Sequence, residues 1–283
     1  MGYGDDLLVT TFAAFEKKKH PDRQVIIGNL KKKHASHSII YDHNPNISDC
    51  RNLDKNKKIH LIDYHQENRP YIDYKNSTNK KYIWNHNYKA TPGELFFSKD
   101  EEILAKNTIK NAINFWKVKN KKKDPKAIIF LETTSTKVEH KNFSMKHLNK
   151  GWARENWFKL VNKLKHDYLF INSVHEYSIN IDDVFSPENM NFRLACSIMN
   201  KCDMYVGPEG GFSHVAGALR KKAVVYYGGW IPPNIIGYDF HENLYFKHPE
   251  SPCGLYREIC NHCEKARKMI TVENFEERIK KIT

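Results

Sequence analysis

YVGPEGGFSHVAGALRKKAVVYYGG, residues 205–229, is the stretch on which the reading of this chain turns. An apolar run ends at Val206, then come an acid and two glycines. Ser213-His214 opens a helix-like segment, and a second apolar run closes on Gly228-Gly229. The order is strand, glycine turn, helix, strand. In a parallel sheet, ligands collect at the carboxyl ends of strands, where a glycine turn lets backbone approach and the next helix offers free N–H groups. Gly210 and Gly211 permit conformations that other residues resist, and Ser213 is placed to cap the helix. The N–H groups from Gly211 to His214 are therefore a candidate anion cradle, with a purely structural turn as the alternative.

Outward from this stretch, the second half alternates strand and helix with short links. AIIFLE (127–132), YLFINS (168–173), MYVG (204–207) and AVVYYG (223–228) read as strands. ENWFKLVNKLKH (155–166), PENMNFRLACSIMNKC (187–202), SHVAGALRK (213–221) and VENFEERIKKI (272–282) read as helices. That alternation implies a parallel sheet with helices on both faces.

The first half has short Ile-rich runs at QVIIG (24–28), HSIIY (37–41), KIHLIDY (58–64) and KYIWN (81–85), expected as buried strands. Helices are expected after GYGDD and over 98–119, where Ser98 and Glu101 form a capping box. The charged stretch KNKKKDPK (119–126) marks the boundary between residues 1–122 and 123–283. The final helix, 272–282, is a candidate to pack back on the N-terminal domain.

With 283 residues, 40% of them hydrophobic, the chain has the length for two domains and the composition for folded cores. Its net charge of +13 suits polyanionic partners, unless the extra Lys merely coats solvated faces. No apolar run approaches the ~18–20 residues that span a bilayer, and the N-terminus has acids where a signal peptide has bases, so a cytoplasmic protein is expected. Six cysteines are too few for a disulfide scaffold.

The wording of residues 200–229 resembles the donor-binding segment of the heptosyltransferase-like glycosyltransferases of family nine, where a strand leads into Asp-Thr-Gly-x-Ser-His-x-Ala-x-Ala. Glu209 stands at the Asp, Gly210 at the Thr and Gly211 at the Gly, while Ser213, His214, Ala216 and Ala218 fall on the pattern. KGWARENWFKLVNKL (150–164) is similar to the Lys-x-Trp-Pro segment, with Ala153 at the Pro. GYGDDLL (2–8) resembles the family's Gly-Asp loop. The family loop follows a first strand, whereas here Met1 stands immediately before it, so a start further upstream is expected, with a first sheet lacking its usual central strand as the alternative.

The resemblance implies an α/β fold of the GT-B type, two Rossmann-like domains with parallel sheets facing across a cleft. It implies inverting transfer from a nucleotide-diphosphate sugar, ADP-heptose-like or a hexose donor, to a glycan or lipopolysaccharide-type acceptor. Asp5 is then the general base, with Asp6 a neighbour on the acceptor side. Glu209 meets sugar hydroxyls, Lys150 a donor phosphate, and the backbone of 210–214 the diphosphate. Asp63, His65 and Arg69, near one sheet edge, are further acceptor-side candidates. The polar loop ETTSTKVEHKNFS (132–144) follows a strand and is a candidate to face the cleft.

Cys253, Cys260, His262 and Cys263 have a spacing outside the known zinc fingers, so a structural zinc is the lesser expectation and no metal or other cofactor is required. Expected partners are the nucleotide sugar and a glycan or glycolipid, with peripheral contact to an anionic membrane as a further candidate and no nucleic acid. A nucleotide-sugar epimerase, a catalytically silent relative and a basic nucleotide- or nucleic-acid-binding protein are the competing readings.

Overall fold

A computed structural model of the chain describes residues 2–121, 124–133, 149–173, 180–188, 190–255 and 258–283. Helix α1 (Tyr3–Lys19) opens with Asp5 and Asp6 in its first turn and closes with Lys17, Lys18 and Lys19 in its last, charges that complement the helix dipole at both ends. Strands β1 (Gln24–Asn29), β2 (His34–Ala35) and β3 (Ile59–Asp63) follow. They form a sheet in the order β2-β1-β3, with β3 parallel and β2 antiparallel to β1. All six residues of β1 are buried, as expected of a central strand covered on both faces.

Two of the expected strands are not strands. Residues 39–41 form a 3-10 turn: Ser38 Oγ accepts from the Ile40 N–H, and Arg193 Nη1 donates to the Ile39 carbonyl. Backbone groups that a ladder would need are thereby already engaged. KYIWN makes only the isolated bridges Ile72↔Trp84 and Lys81↔Leu255. Trp84 instead builds a seam with the second half. Its Nε1 donates to the Trp230 carbonyl at 2.9 Å, and the two indoles meet edge to face with centroids 4.7 Å apart.

Helix α2 (Lys99–Asn120) starts with the expected capping box. Ser98 Oγ accepts from the Glu101 N–H, and Glu101 Oε2 accepts from the Ser98 N–H. The second sheet comprises β4 (Ile128–Leu131), β5 (Leu169–Asn172), β6 (Met204–Pro208), β7 (Lys222–Tyr227) and β8 (Glu242–Tyr245). Its order is β5-β4-β6-β7-β8, with every pair parallel. Around it lie α3 (Arg154–Leu164), α4 (Phe192–Lys201), α5 (Gly211–Ala218), α6 (Pro233–Ile236), α7 (Asn261–Met269) and α8 (Val272–Ile282). Strand β8 and helices α6 and α7 have no counterpart in the sequence reading.

One face of this sheet is sealed by α3 and α8, through Trp152, Trp157 and Phe275. The sequence leaves α8 as a candidate to pack on the N-terminal half; among the described residues its main contacts are with the second half. Phe275 and Ile279 are fully buried against the second sheet, where α8 meets α3, β7 and β8. On the other face the core runs without a break from α4 and α5 into α1 and β1.

Helix α2 also lies on the second sheet, against α4 and β5. Trp116 Nε1 donates to the carbonyls of Lys165 and Tyr168, and Arg193 of α4 forks onto Glu101 at 2.5 and 2.7 Å. Burial opposes ionisation of Glu101, yet the bonds from Arg193 and Ser98 outweigh it and hold its pKa below the usual value. Lys122 and Lys123, at the expected domain boundary, lie outside the described residues, as does residues 134–148 of the polar loop. Among the described residues, no helix is long and apolar enough to cross a membrane.

Candidate active site

Strand order locates the site. From β4 the chain goes first to β5 on one side and then to β6 on the other, so the crevice beyond the ends of β4 and β6 is the topological switch point. Glu132 and Thr133, both buried, follow β4, and Glu209, also buried, follows β6. The β4 end was legible only as the start of a polar loop.

Beyond β6 the chain turns at Gly210, whose φ of 154° and ψ of −157° place it in a region essentially reserved for glycine. A Cβ there would meet no atom within 4 Å, so the glycine serves the backbone conformation. Ser213 is not the N-cap that the sequence suggested. Helix α5 begins two residues earlier, which makes Gly210 the N-cap, and Ser213 Oγ reaches back to the Gly210 N–H at 3.0 Å. The hydroxyl thus satisfies the N-cap residue, while the first-turn N–H groups of Gly211 and Phe212 remain helix-end donors.

Helix α1 brings its own N-terminus to the same place. A Cβ on Gly4 would stand 2.9 Å from His214 Cδ2 and 3.6 Å from Gly211 Cα, so only a residue without a side chain lets the two helix starts touch. Two positive dipole ends therefore meet beside the switch point, an arrangement that favours an anion.

Asp5 stands in the first turn of α1, 12% exposed. Tyr71 donates its hydroxyl to Asp5 Oδ1 at 2.6 Å, and Arg69 Nη1 lies 3.8 Å from Oδ2. Burial and then the Asp5 charge push the Tyr71 and Tyr64 hydroxyls well above the ordinary tyrosine value, and raise Tyr88 to about 12. Burial works against the Arg69 charge, but Tyr71, Asp5 and Tyr74 more than offset it.

Asp6 faces the other way. It is 7% exposed, accepts from Ser38 at 2.7 Å and Tyr41 at 3.4 Å, and its pKa is raised by burial. It fastens α1 to the 38–41 turn. Of the other acceptor-side candidates, Arg69 joins Asp5. Asp63 caps the Leu30 N–H and holds Asn68, with His65 Nε2 3.6 Å from its Oδ1 at the end of β3.

Lys150 and Glu209 come together from segments far apart in sequence. Nζ lies 2.7 Å from Oε1, with the side chains 12% and 3% exposed, and Nζ also sits 4.8 Å above the Trp230 ring. His214 is buried, with Nδ1 2.8 Å from the Tyr238 hydroxyl. Burial, then the positive charge of Lys150 and of His241, push its pKa down to about 3, so the imidazole is neutral at physiological pH. Tyr71, Tyr238 and Trp230 complete the site but were missing from the sequence reading, since each acts only through a distant partner; Gly4 was read only as the glycine before Asp5, and its contact with α5 was not.

Next to it, Cys253, Cys260, His262 and Cys263 place their ligand atoms within 4.8 Å of one another, all buried. Cys253 and Cys263 Sγ are 3.3 Å apart, and Cys260 Sγ is 3.0 Å from His262 Nδ1. Three thiols and an imidazole match a tetrahedral thiophilic ion such as zinc or iron. The cluster is tied to the donor-side residues: Asn149, preceding Lys150, accepts from the Cys260 N–H, and the Cys253 N–H donates to Gly229. Another cluster, of two histidines and a carboxylate, Glu16, His20 and His60, lies at the far end of α1.

No protein-family model matches the sequence, and no curated protein matches it. Among solved structures, the family nine glycosyltransferase of Veillonella parvula is similar with a TM-score of 0.59 and 11% identity, over 100% of this chain and 94% of that one. The iron-containing dodecameric glycosyltransferase TibC of enterotoxigenic E. coli is similar with a TM-score of 0.60 and 14% identity, over 100% of this chain and 73% of TibC. E. coli ADP-heptose lipopolysaccharide heptosyltransferase II is matched over 71% of this chain and 54% of its own, at 13% identity and a TM-score of 0.45. The chain thus spans about half the length of that enzyme. The first two likenesses establish the fold, a GT-B-type α/β fold shared with these two glycosyltransferases.

Proposed function

We propose that this chain is an inverting glycosyltransferase that moves a sugar from a nucleotide-diphosphate donor to a glycan-type acceptor. The observation that supports it most is the meeting of the α1 and α5 N-termini at Gly4 and Gly211, with Asp5 on one helix and Glu209 just before the other. In this reading the Gly210–His214 backbone holds the diphosphate through helix-end N–H groups. Lys150 balances phosphate charge as the leaving group departs, and Glu209 accepts from donor hydroxyls. Asp5, oriented by Tyr71 and Arg69, takes the proton of the acceptor hydroxyl as it attacks the anomeric carbon. Neutral His214 adds no charge and buttresses the turn through Tyr238. ADP-heptose, named for related solved proteins, is the first donor to try, and hexose donors follow.

The test is a thermal-shift and transfer screen of nucleotide-diphosphate sugars, with Asp5→Asn beside the wild type. The variant is expected to bind donor normally and lose about 10²–10⁴-fold in transfer. Undiminished transfer removes Asp5 as the base. Isomerised donor in the absence of acceptor favours an epimerase instead. The convergence of three cysteines and a histidine supports a second proposal, a structural metal ion of the zinc or iron class behind the donor side. Metal analysis of the purified chain, with loss of the ion in Cys260→Ser, tests it.

A further inference from the structure

The two ends of α1 differ in chemistry, and the end remote from the proposed active site holds a group that glycosyl transfer does not use. Glu16 and His20 lie one helical turn apart at the C-terminus of α1, and His60 reaches them from β3. Both imidazoles present Nε2 to the same oxygen: Glu16 Oε2 is 3.8 Å from His20 Nε2 and 3.2 Å from His60 Nε2. All three ligand atoms lie within 4.8 Å of one another, and the rings stand 4.8 Å apart at a 32° tilt.

We infer that Glu16, His20 and His60 form a transition-metal site of the two-histidine, one-carboxylate type, with water in the remaining positions. A tetrahedral ion with bonds of about 2.0–2.1 Å separates its ligands by about 3.3 Å, and the two measured separations bracket that value. Imidazole with carboxylate suits zinc, cobalt, nickel or iron rather than magnesium or calcium.

The three ligands are held by separate devices. His20 is the C-cap residue of α1, its N–H bonded to the Glu16 carbonyl at 2.9 Å. Lys17 Nζ donates to the carbonyls of Pro21 and Arg23 and so fixes the turn that follows. His60 is in register with Val25 of β1, the strand on which α1 packs. Lys19 binds the other carboxylate oxygen, Glu16 Oε1, at 3.2 Å and leaves Oε2 to the histidines. The ion would clamp the end of α1 to the start of β3. Asp5 is eleven residues away along the helix, roughly 16 Å, so the clamp acts on stability and leaves the proposed chemistry alone.

The probe is cobalt(II), because thiolate ligation at the cysteine cluster produces sulfur-to-metal charge transfer whereas ligation by histidine and carboxylate does not. Untagged, metal-stripped chain is titrated with cobalt(II), and bound metal per chain is measured beside the thiolate band. Wild type is expected to bind one more equivalent than Glu16→Gln or His60→Asn, with the thiolate band the same in all three. Affinity for that equivalent should fall at least ~10-fold in either variant. Glu16→Gln is a near-isosteric change at a half-buried position in the last turn of α1 and keeps the comparison sound should His60→Asn fold poorly. Equal stoichiometry and affinity in wild type and Glu16→Gln, or no cobalt beyond the thiolate site in wild type, overturns the assignment.

Discussion

Replacing Lys150 by Met should destabilise the protein far more than an ordinary lysine substitution. Its ammonium lies 2.7 Å from Glu209 Oε1, in a pair whose side chains are 12% and 3% exposed. Without it, a carboxylate that water hardly reaches loses its counter-charge, and breaking a buried pair from one side costs about 3–5 kcal/mol. Glu209→Gln strands the more exposed partner, so its cost should fall toward the low end of that range, about 3 kcal/mol. Lys150→Met with Glu209→Gln removes both charges and should cost less than the two single changes added, with a coupling of about 1–3 kcal/mol. In a chain of this size the Lys150→Met loss corresponds to a Tm lower by at least about 6 °C. Urea unfolding and calorimetry of the four proteins supply the cycle. Single variants within about 0.5 kcal/mol of wild type, or strictly additive effects, would refute the reasoning that the pair is a closed, desolvated unit.

Gly210→Ala should cost roughly 1–3 kcal/mol by backbone strain alone, since the added methyl finds open space, and should weaken donor binding in a calorimetric titration. Tyr71→Phe removes the 2.6 Å bond to Asp5, so turnover is expected to fall about tenfold or more with donor affinity unchanged; a loss confined to donor affinity would contradict it. Burial depresses the pKa of His214 to about 3 and of His241 to about 4, below the unfolded value near 6.5. Their contribution is thus present above pH 6.5 and is lost as pH falls toward 3, by up to about 1.4 kcal/mol per unit for each. His214→Asn should flatten the stability curve between those limits in pH-dependent urea unfolding, and parallel curves would count against the burial argument.

Features set by neighbours in sequence were legible before the fold was known. The capping box of Ser98 and Glu101, the amphipathic stripe of α8 and the strand-turn-helix of β6 and α5 all depend on spacing over a few residues. Those set by tertiary partners were not. HSIIY has the composition of a strand, but Ser38 and Arg193, 155 positions apart, hold it as a turn. Only the family resemblance set Asp5 apart from Asp6, and the opposite surroundings of the two were not legible: Tyr71 and Arg69 take one, while Ser38 and Tyr41 take the other. The cysteine spacing fits no known finger, yet the fold sets Cys253 against Cys263, their Sγ atoms 3.3 Å apart. Strand β8, at the sheet edge with only Leu244 buried, lacks the apolar run by which the other strands of its sheet were recognised.

Helix α2 bears on how the molecule is taken apart. A fragment cut at the charged stretch after Asn120 would leave α4 without its cover and Trp116 without the carbonyls of Lys165 and Tyr168. A fragment beginning just before Ser98 would retain the cap, the Arg193–Glu101 fork and the indole anchor together. Both pieces uncover the face that α1 packs against, but the longer one keeps α2 in place and should be the more stable of the two, which urea unfolding of the two fragments would decide.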